Sequence, residues 1–143
     1  VIGEHGDSEF VPLSQVMLAT KSVTEILEDE RNDYNINDMQ SIEEQVRTAA
    51  YKIIEAKRAT YYGIGMAITR IVKAILGDEN SVLTVSAKLC GEYDSKNVFI
   101  GVPCIIGRNG VKEIVELSLT DEEKEKFQNS RKVLEDNFNG LEL

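Results

Sequence analysis

The single histidine of the chain, His5, lies in the segment Gly3-Glu4-His5-Gly6-Asp7-Ser8. Imidazole has an unperturbed pKa of about 6.5, so it can both donate and accept a proton near neutral pH. Glycine allows backbone conformations that other residues avoid, which predicts a turn that projects the ring into a cleft. A lone histidine is more often a structural or surface residue than a catalyst. The flanking glycines are what favour an acid/base role.

Thr60 and Ile64 form a second candidate site. They are four residues apart, so a continuous helix would place both on one face. Ala49 precedes Thr60 by eleven residues, about three helical turns, and would share that face. A small residue, a hydroxyl and a branched apolar group together suit a compact polar substrate beside a flat apolar ring. A core stripe with an incidental threonine is the more common origin of such a pattern, so the spacing alone leaves both interpretations open.

Length and charge limit the classes of function. The chain has 143 residues, which predicts one domain, and its formal net charge is -9. An acidic chain repels nucleic acid and anionic lipid, so we expect neither as a partner. No apolar run approaches the ~20 residues that span a bilayer, and no secretory leader is recognisable. These features predict a cytoplasmic protein.

The ligand inventory favours a site without a metal. One histidine and no second ligand cluster make a metal-dependent hydrolase built on Glu4, His5 and Asp7 a weak alternative, so we expect no metal. Cys90 and Cys104 are too few for a disulfide scaffold and do not have metal-ligand spacing. Because both cysteines fall in predicted strands, we expect reduced, buried thiols.

Helical patterns dominate the first half of the chain. A short helix is predicted within residues 22–30, followed by a loop rich in Asn and Asp at 31–38. The sequence Ser-Ile-Glu-Glu at 41–44 has the form of a capping box and predicts the start of a long helix. The apolar periodicity continues as far as a stop signal at Gly77, with a break expected near 58–61.

The second half changes to the two-residue period of strands. Strands are predicted at 81–89, 97–106 and 111–117, with an Asn-Gly hairpin turn between the last two. A second capping box at 120–123 predicts a final helix that ends near residue 139. The elements together predict an α+β domain in which an antiparallel meander packs with long helices.

The segment around His5 resembles the active-site segment of the L-lactate dehydrogenases, in the lactate/malate dehydrogenase family. The sequences Ala-Thr-Tyr-Tyr-Gly-Ile at 59–64 and Phe-Ile-Gly-Val-Pro at 99–103 resemble the family in the same order. The resemblance covers nearly the whole chain. It implies that residues 1–143 form the substrate-binding, catalytic C-terminal domain, with the fold of that domain. It also implies that the N-terminal dinucleotide-binding domain lies outside these residues.

The resemblance also implies a reaction and roles for individual residues. His5 would be the proton donor and acceptor while a hydride passes between NAD and the carbonyl carbon of pyruvate. Thr60 would contact the substrate, Ile64 would line the nicotinamide pocket, and Tyr51 matches a tyrosine that is phosphorylatable in some members. Pyruvate and lactate would be the substrates, NAD would be held mainly by the N-terminal domain, and the full-length protein would be a homotetramer.

Two alternatives to this interpretation stay open. The first is a dehydrogenase for malate or another 2-hydroxy acid, although Ala-Thr-Tyr-Tyr favours lactate. The second is a non-catalytic fragment whose role is assembly. The chain has no G-x-G-x-x-G motif. In the family, the acid that partners the histidine, the arginine that clamps the substrate and the mobile loop all precede the present Val1. We therefore expect the isolated chain to be inactive.

Overall fold

The first half of the chain is mainly helical. A computed structural model describes residues 1–31 and 33–141. After a 3-10 turn at Leu13–Gln15, the paired two-residue strands β1 and β2 lead into three helices, and the short helix predicted within 22–30 is confirmed. The bounds are β1 Met17–Leu18, β2 Lys21–Ser22, α1 Val23–Leu27, α2 Ile36–Lys57 and α3 Tyr62–Leu76.

The second half contains the predicted antiparallel meander and final helix. The strands have the order β3-β4-β5, and a 3-10 turn at Glu92–Asp94 separates the first two. Gly110, the first residue of β5, has a φ of 93°, a left-handed conformation that glycine adopts without strain where the tight turn from β4 ends. The bounds are β3 Ser81–Cys90, β4 Lys96–Gly107, β5 Gly110–Ile114 and α4 Asp121–Asn139.

The start of α2 corrects the sequence prediction. The helix begins at Ile36, so Ser41 lies inside it and does not cap it. The side chain of Asn35 accepts a hydrogen bond from the Asn37 amide at 2.8 Å, and Asp38 accepts one from the Asn35 amide at 2.7 Å. Asn and Asp are good N-caps as well as loop residues, and here the capping role prevails. Asn32, in the same predicted loop, lies outside the described residues.

The predicted break near 58–61 is confirmed, and it removes the proposed common helix face. Arg58 ends α2 in the left-handed conformation, with a φ of 63°. Thr60 therefore lies in the joint before α3, whereas Ile64 lies inside α3. A continuous helix would have placed Ala49, Thr60 and Ile64 on one face, but they share no such face, because the left-handed Arg58 and the joint after it separate α2 from α3.

The core lies between one face of the sheet and α4. Alternate residues of β4 are buried, as expected of a strand with one face towards a core. Phe127 of α4 is 1% exposed and stacks on Tyr93 with ring centroids 4.5 Å apart. The same alternation buries Cys104 but leaves Cys90 exposed beside Lys88 on the solvent face of β3, so the expectation of two buried thiols is wrong for Cys90.

The beginning of α4 is capped as predicted and is also tied to a distant turn. Thr120 accepts a hydrogen bond from the Glu123 amide at 3.3 Å, and Glu123 accepts one from the Thr120 amide at 2.9 Å. The Glu123 carboxylate also accepts hydrogen bonds from the Ser14 amide at 3.0 Å and the Ser14 hydroxyl at 2.5 Å. One carboxylate therefore fixes both the helix start and the chain that follows the histidine segment.

Candidate active site

The histidine segment is attached to β4 by its backbone. The amide of Gly3 donates to the carbonyl of Gly101 and the amide of Gly101 donates to the carbonyl of Gly3, each at 2.9 Å. A Cβ at residue 101 would lie 2.8 Å from the Gly3 carbonyl oxygen. Gly3 itself has a φ of 105°, and a Cβ there would lie 2.6 Å from the hydroxyl of Ser130. Glycine is therefore needed at both positions for this close approach.

A group of polar side chains joins the histidine turn to α4. The amide of Glu4 donates to the Ser130 hydroxyl at 2.5 Å, and the Ser8 hydroxyl lies 3.1 Å from the same oxygen. The Glu4 carboxylate accepts hydrogen bonds from the Ser8 amide, at 3.3 Å, and from the Ser8 hydroxyl. The residues on either side of His5 are thus joined to each other and to α4. Ser130 was not singled out in the sequence, although a serine in the apolar stripe of α4 is a recognisable signal.

This arrangement leaves the His5 side chain outside the core. The side chain is 96% exposed, and its Nδ1 lies 3.6 Å from a carboxylate oxygen of Glu9. The turn therefore projects the ring outwards, whereas the glycines predicted a ring that enters a cleft. A ring in this position is accessible to a substrate, and its neighbouring carboxylate is mostly buried, with 15% of the side chain exposed.

His5 and Ile64 line the same groove, which has a volume of about 760 Å³. The groove runs between the histidine turn, α3, α4 and the sheet. Its lining is largely apolar and includes Phe99, Ile100 and Leu134. Thr60 is exposed in the joint before α3 and does not line this groove. Of the candidate residues, the structure therefore brings His5 and Ile64 together and leaves Thr60 beside them in the chain but outside the groove.

The other side of the histidine turn is joined to α2. The Tyr51 hydroxyl donates to the Asp7 carboxylate at 2.8 Å, and the Val11 amide donates to Glu43 at 3.1 Å. The hydrogen bond to Asp7 and the negative charge of Asp7 raise the pKa of Tyr51. Tyr51 is therefore a contact between α2 and the turn, a position that the sequence could not reveal.

Other kinds of site receive no support in the parts of the chain that the structure describes. In residues 1–31 and 33–141, no group of three or more His, Cys, Asp or Glu side chains could hold a metal ion. None of the helices in these ranges is both long enough and apolar enough to cross a membrane.

Comparisons with known proteins show the family of this domain. The family model described as the lactate/malate dehydrogenase alpha/beta C-terminal domain matches residues 1–142. L-lactate dehydrogenase 1 of Bacillus cereus is 52% identical over 136 residues, which cover 95% of this chain and 43% of that protein. The chain thus spans less than half the length of this relative.

Solved structures give the same result. A minor L-lactate dehydrogenase from Enterococcus mundtii, in its ligands-bound form, superposes with a TM-score of 0.94 at 45% identity, over 100% of this chain and 45% of that one. Malate dehydrogenase from Archaeoglobus fulgidus, in complex with NADH, superposes with a TM-score of 0.79 at 37% identity, over 99% of this chain and 43% of that one. The predicted α+β fold is therefore confirmed.

Proposed function

The chain belongs to the lactate/malate dehydrogenase family as its alpha/beta C-terminal domain, and from this membership we propose that it is the catalytic half of an NAD-dependent L-lactate dehydrogenase. The intact enzyme interconverts pyruvate and (S)-lactate. Residues 1–143 supply the substrate-binding domain, and a dinucleotide-binding domain outside them holds most of the cofactor. The observation that carries this proposal is the single groove lined by both His5 and Ile64.

The groove fits one end of the cofactor. Ile64, Phe99 and Leu134 present an apolar surface that suits a flat nicotinamide ring. These 143 residues contain no G-x-G-x-x-G phosphate-binding motif, so the rest of the dinucleotide is assigned to the other domain. When bound, the nicotinamide supplies a hydride to the carbonyl carbon of pyruvate or accepts one from lactate.

His5 moves the proton. In its protonated form it donates to the carbonyl oxygen of pyruvate as negative charge develops there, and in its neutral form it accepts the proton of the lactate hydroxyl. The exposed position of the ring leaves it accessible to the substrate. We assign Thr60 to a substrate contact, which its exposed position in the joint before α3 supports.

We propose a cytoplasmic homotetramer without nucleic acid or membrane partners. The net charge of -9 supports the exclusion of nucleic acid and anionic lipid. Apolar side chains on α2, such as Ile53 at 44% exposed and Val46 at 47% exposed, support a role in assembly.

A malate dehydrogenase is the second candidate, because one structural neighbour carries that name. The lower identity to that neighbour, 37% against 52% for the Bacillus cereus lactate dehydrogenase, favours lactate. The test is to measure NADH oxidation by the full-length protein with pyruvate and with oxaloacetate. The proposal predicts a clear preference for pyruvate. A preference for oxaloacetate supports the second candidate, and inactivity with both contradicts a dehydrogenase.

The same assay tests the division of labour between the domains. The chain of residues 1–143 should leave NADH unchanged in the presence of pyruvate, because it lacks the phosphate-binding motif. Turnover by this chain alone would contradict the assignment of cofactor binding to the other domain.

A further inference from the structure

Ser130 is a buried hydroxyl in the apolar stripe of α4. Its side chain is 0% exposed, and it lies on the helix between Phe127 and Leu134, at the spacing of one helix face. Placing a hydroxyl in such an environment costs free energy unless it is hydrogen-bonded. The Ser130 hydroxyl therefore requires hydrogen-bond partners.

The hydrogen bonds around Ser130 form a closed circuit that begins and ends on Glu4. The Glu4 amide donates to the Ser130 oxygen at 2.5 Å. The Ser8 hydroxyl has one proton and contacts both the Glu4 carboxylate and the Ser130 hydroxyl. The Ser8 hydroxyl can therefore donate to the Glu4 carboxylate or to the Ser130 oxygen, and both acceptors lie within hydrogen-bond distance of it.

Glu4 immediately precedes His5, and Ser8 closes the turn that follows it. The circuit therefore fixes the backbone on both sides of the exposed imidazole to a helix that is anchored in the core by Phe127. The Ser130 oxygen also occupies the space where a Cβ at Gly3 would lie, at 2.6 Å. Glu4 and Ser8 thus hydrogen-bond to the Ser130 hydroxyl, and Gly3 leaves the space that it occupies.

From this geometry we propose that Ser130 is a positioning residue for proton transfer by His5, a role that rests on the proposed function. It does not contact the substrate. It acts through Glu4 and Ser8, holding the turn so that the imidazole stands at the mouth of the groove shared with Ile64. Small displacements of reacting groups cost up to about 100-fold in rate, so the loss of this hydroxyl should affect kcat.

The test compares Ser130→Ala with Ser95→Ala in the full-length protein. Ser95 is a matched control, because it is also buried, at 2% exposed, and donates to the Tyr93 carbonyl at 2.9 Å, a bond outside the histidine turn. We expect Ser130→Ala to lower kcat for pyruvate reduction by about 10- to 100-fold with little change in NADH affinity. Ser95→Ala should retain the wild-type kcat, even where its thermal stability falls by a similar amount.

A second readout does not depend on the reaction. Hydrogen exchange of the Glu4 amide, followed by NMR, reports directly on its bond to Ser130, and it should be faster in Ser130→Ala and unchanged in Ser95→Ala. If Ser130→Ala does not fold, Ser8→Ala breaks the same circuit from the partly exposed side and should produce the same loss of kcat.

The possible results separate the two proposals. Equal kcat in Ser130→Ala and the wild type, or unchanged exchange of the Glu4 amide, would contradict the positioning role while leaving the dehydrogenase intact. Inactivity of the wild type with every 2-hydroxy acid couple would contradict the proposed function, even if faster Glu4 exchange confirmed that Ser130 holds the turn.

Discussion

The two longest helices, α4 and α2, both contact the histidine turn, but from different environments. The charged helix α4 buries Glu123, Phe127 and Ser130. In contrast, α2 has an apolar residue at each helical turn and buries none of them within the described parts of the chain. Apolar periodicity therefore shows that a helix has an apolar face that must be covered, but it does not show which surface covers that face. In α4 that surface is the sheet of the same domain, whereas α2 presents its apolar face outwards.

The histidine turn of the candidate active site is therefore held differently on its two sides. From α4, the turn receives a hydrogen-bond circuit centred on a fully buried serine. From α2, it receives the hydrogen bond between Tyr51 and Asp7, at a tyrosine that is 57% exposed. Buried polar contacts contribute more to stability than exposed ones. The contacts with Ser130 of α4 should therefore determine the geometry of the turn, and the contact with Tyr51 of α2 should have only a small effect on it.

Truncating an apolar residue in each helix tests this contrast and should give its largest effect. Phe127→Ala removes a ring that is 1% exposed, and we expect a loss of about 3–5 kcal/mol in the free energy of unfolding. Ile53→Ala on α2 is the matched control, and it should change this free energy by less than about 0.5 kcal/mol in the chain of residues 1–143. Urea unfolding measures both. Equal losses would show that α2 packs within the domain.

The next largest effect on the free energy of unfolding is expected at Glu123, whose carboxylate joins α4 to the chain that follows the histidine turn. Burial tends to raise the pKa of Glu123, but hydrogen bonds from Ser14 and Thr120 outweigh it and lower the pKa. We expect Glu123→Gln to cost about 1–3 kcal/mol at pH 7. Urea unfolding at a series of pH values measures this loss, with exposed Glu122→Gln as the control.

The same carboxylate gives a pH dependence of defined sign. Since the folded pKa of Glu123 is lowered, its stabilising contribution is present above the unfolded pKa of about 4.3. It is lost as the pH falls through the lower, folded value. Wild-type stability should therefore decline in acid more steeply than that of Glu123→Gln. Parallel declines would contradict this assignment.

The smallest effect is expected at the contact with α2. Because the carboxylate of Asp7 raises the pKa of Tyr51, Asp7→Asn should return that pKa towards its ordinary value of about 10. Ultraviolet titration, with Tyr51→Phe to identify the signal, measures the change. Tyr51→Phe should alter kcat less than Ser130→Ala does. A larger effect would reverse the proposed ranking of the two helices.

The features that the sequence predicted correctly depend on neighbouring residues. The alternation of β3 and β4, the hairpin turn at Gly110 and the capping box at Thr120 are all local patterns with a direct physical cause. The missed start of α2 is also local, because Asn35 could be either a loop residue or a cap. These two local preferences compete at Asn35, so they could not show where α2 begins.

The features that escaped prediction depend on contacts between distant parts of the chain. Ser130 meets Glu4, 126 residues away, only because α4 packs against the first residues of the chain. Tyr51 meets Asp7 across 44 residues. A common helix face for Thr60 and Ala49 depended on a continuous helix, and the expected break near 58–61, which occurs at the left-handed Arg58, rules that face out. His5 was proposed as an acid/base residue because its glycine-flanked motif is local, and the groove that it lines became visible only with the fold.

The most direct test of the central claim is the rate of pyruvate reduction by His5→Asn in the full-length protein. Loss of the proton donor should lower kcat by about 100-fold or more, since positioned acid/base groups contribute about 10²–10⁴-fold. NADH binding, measured by fluorescence, should remain close to the wild-type value, because most of the cofactor is assigned to the dinucleotide-binding domain outside residues 1–143. Wild-type turnover by His5→Asn would contradict the account.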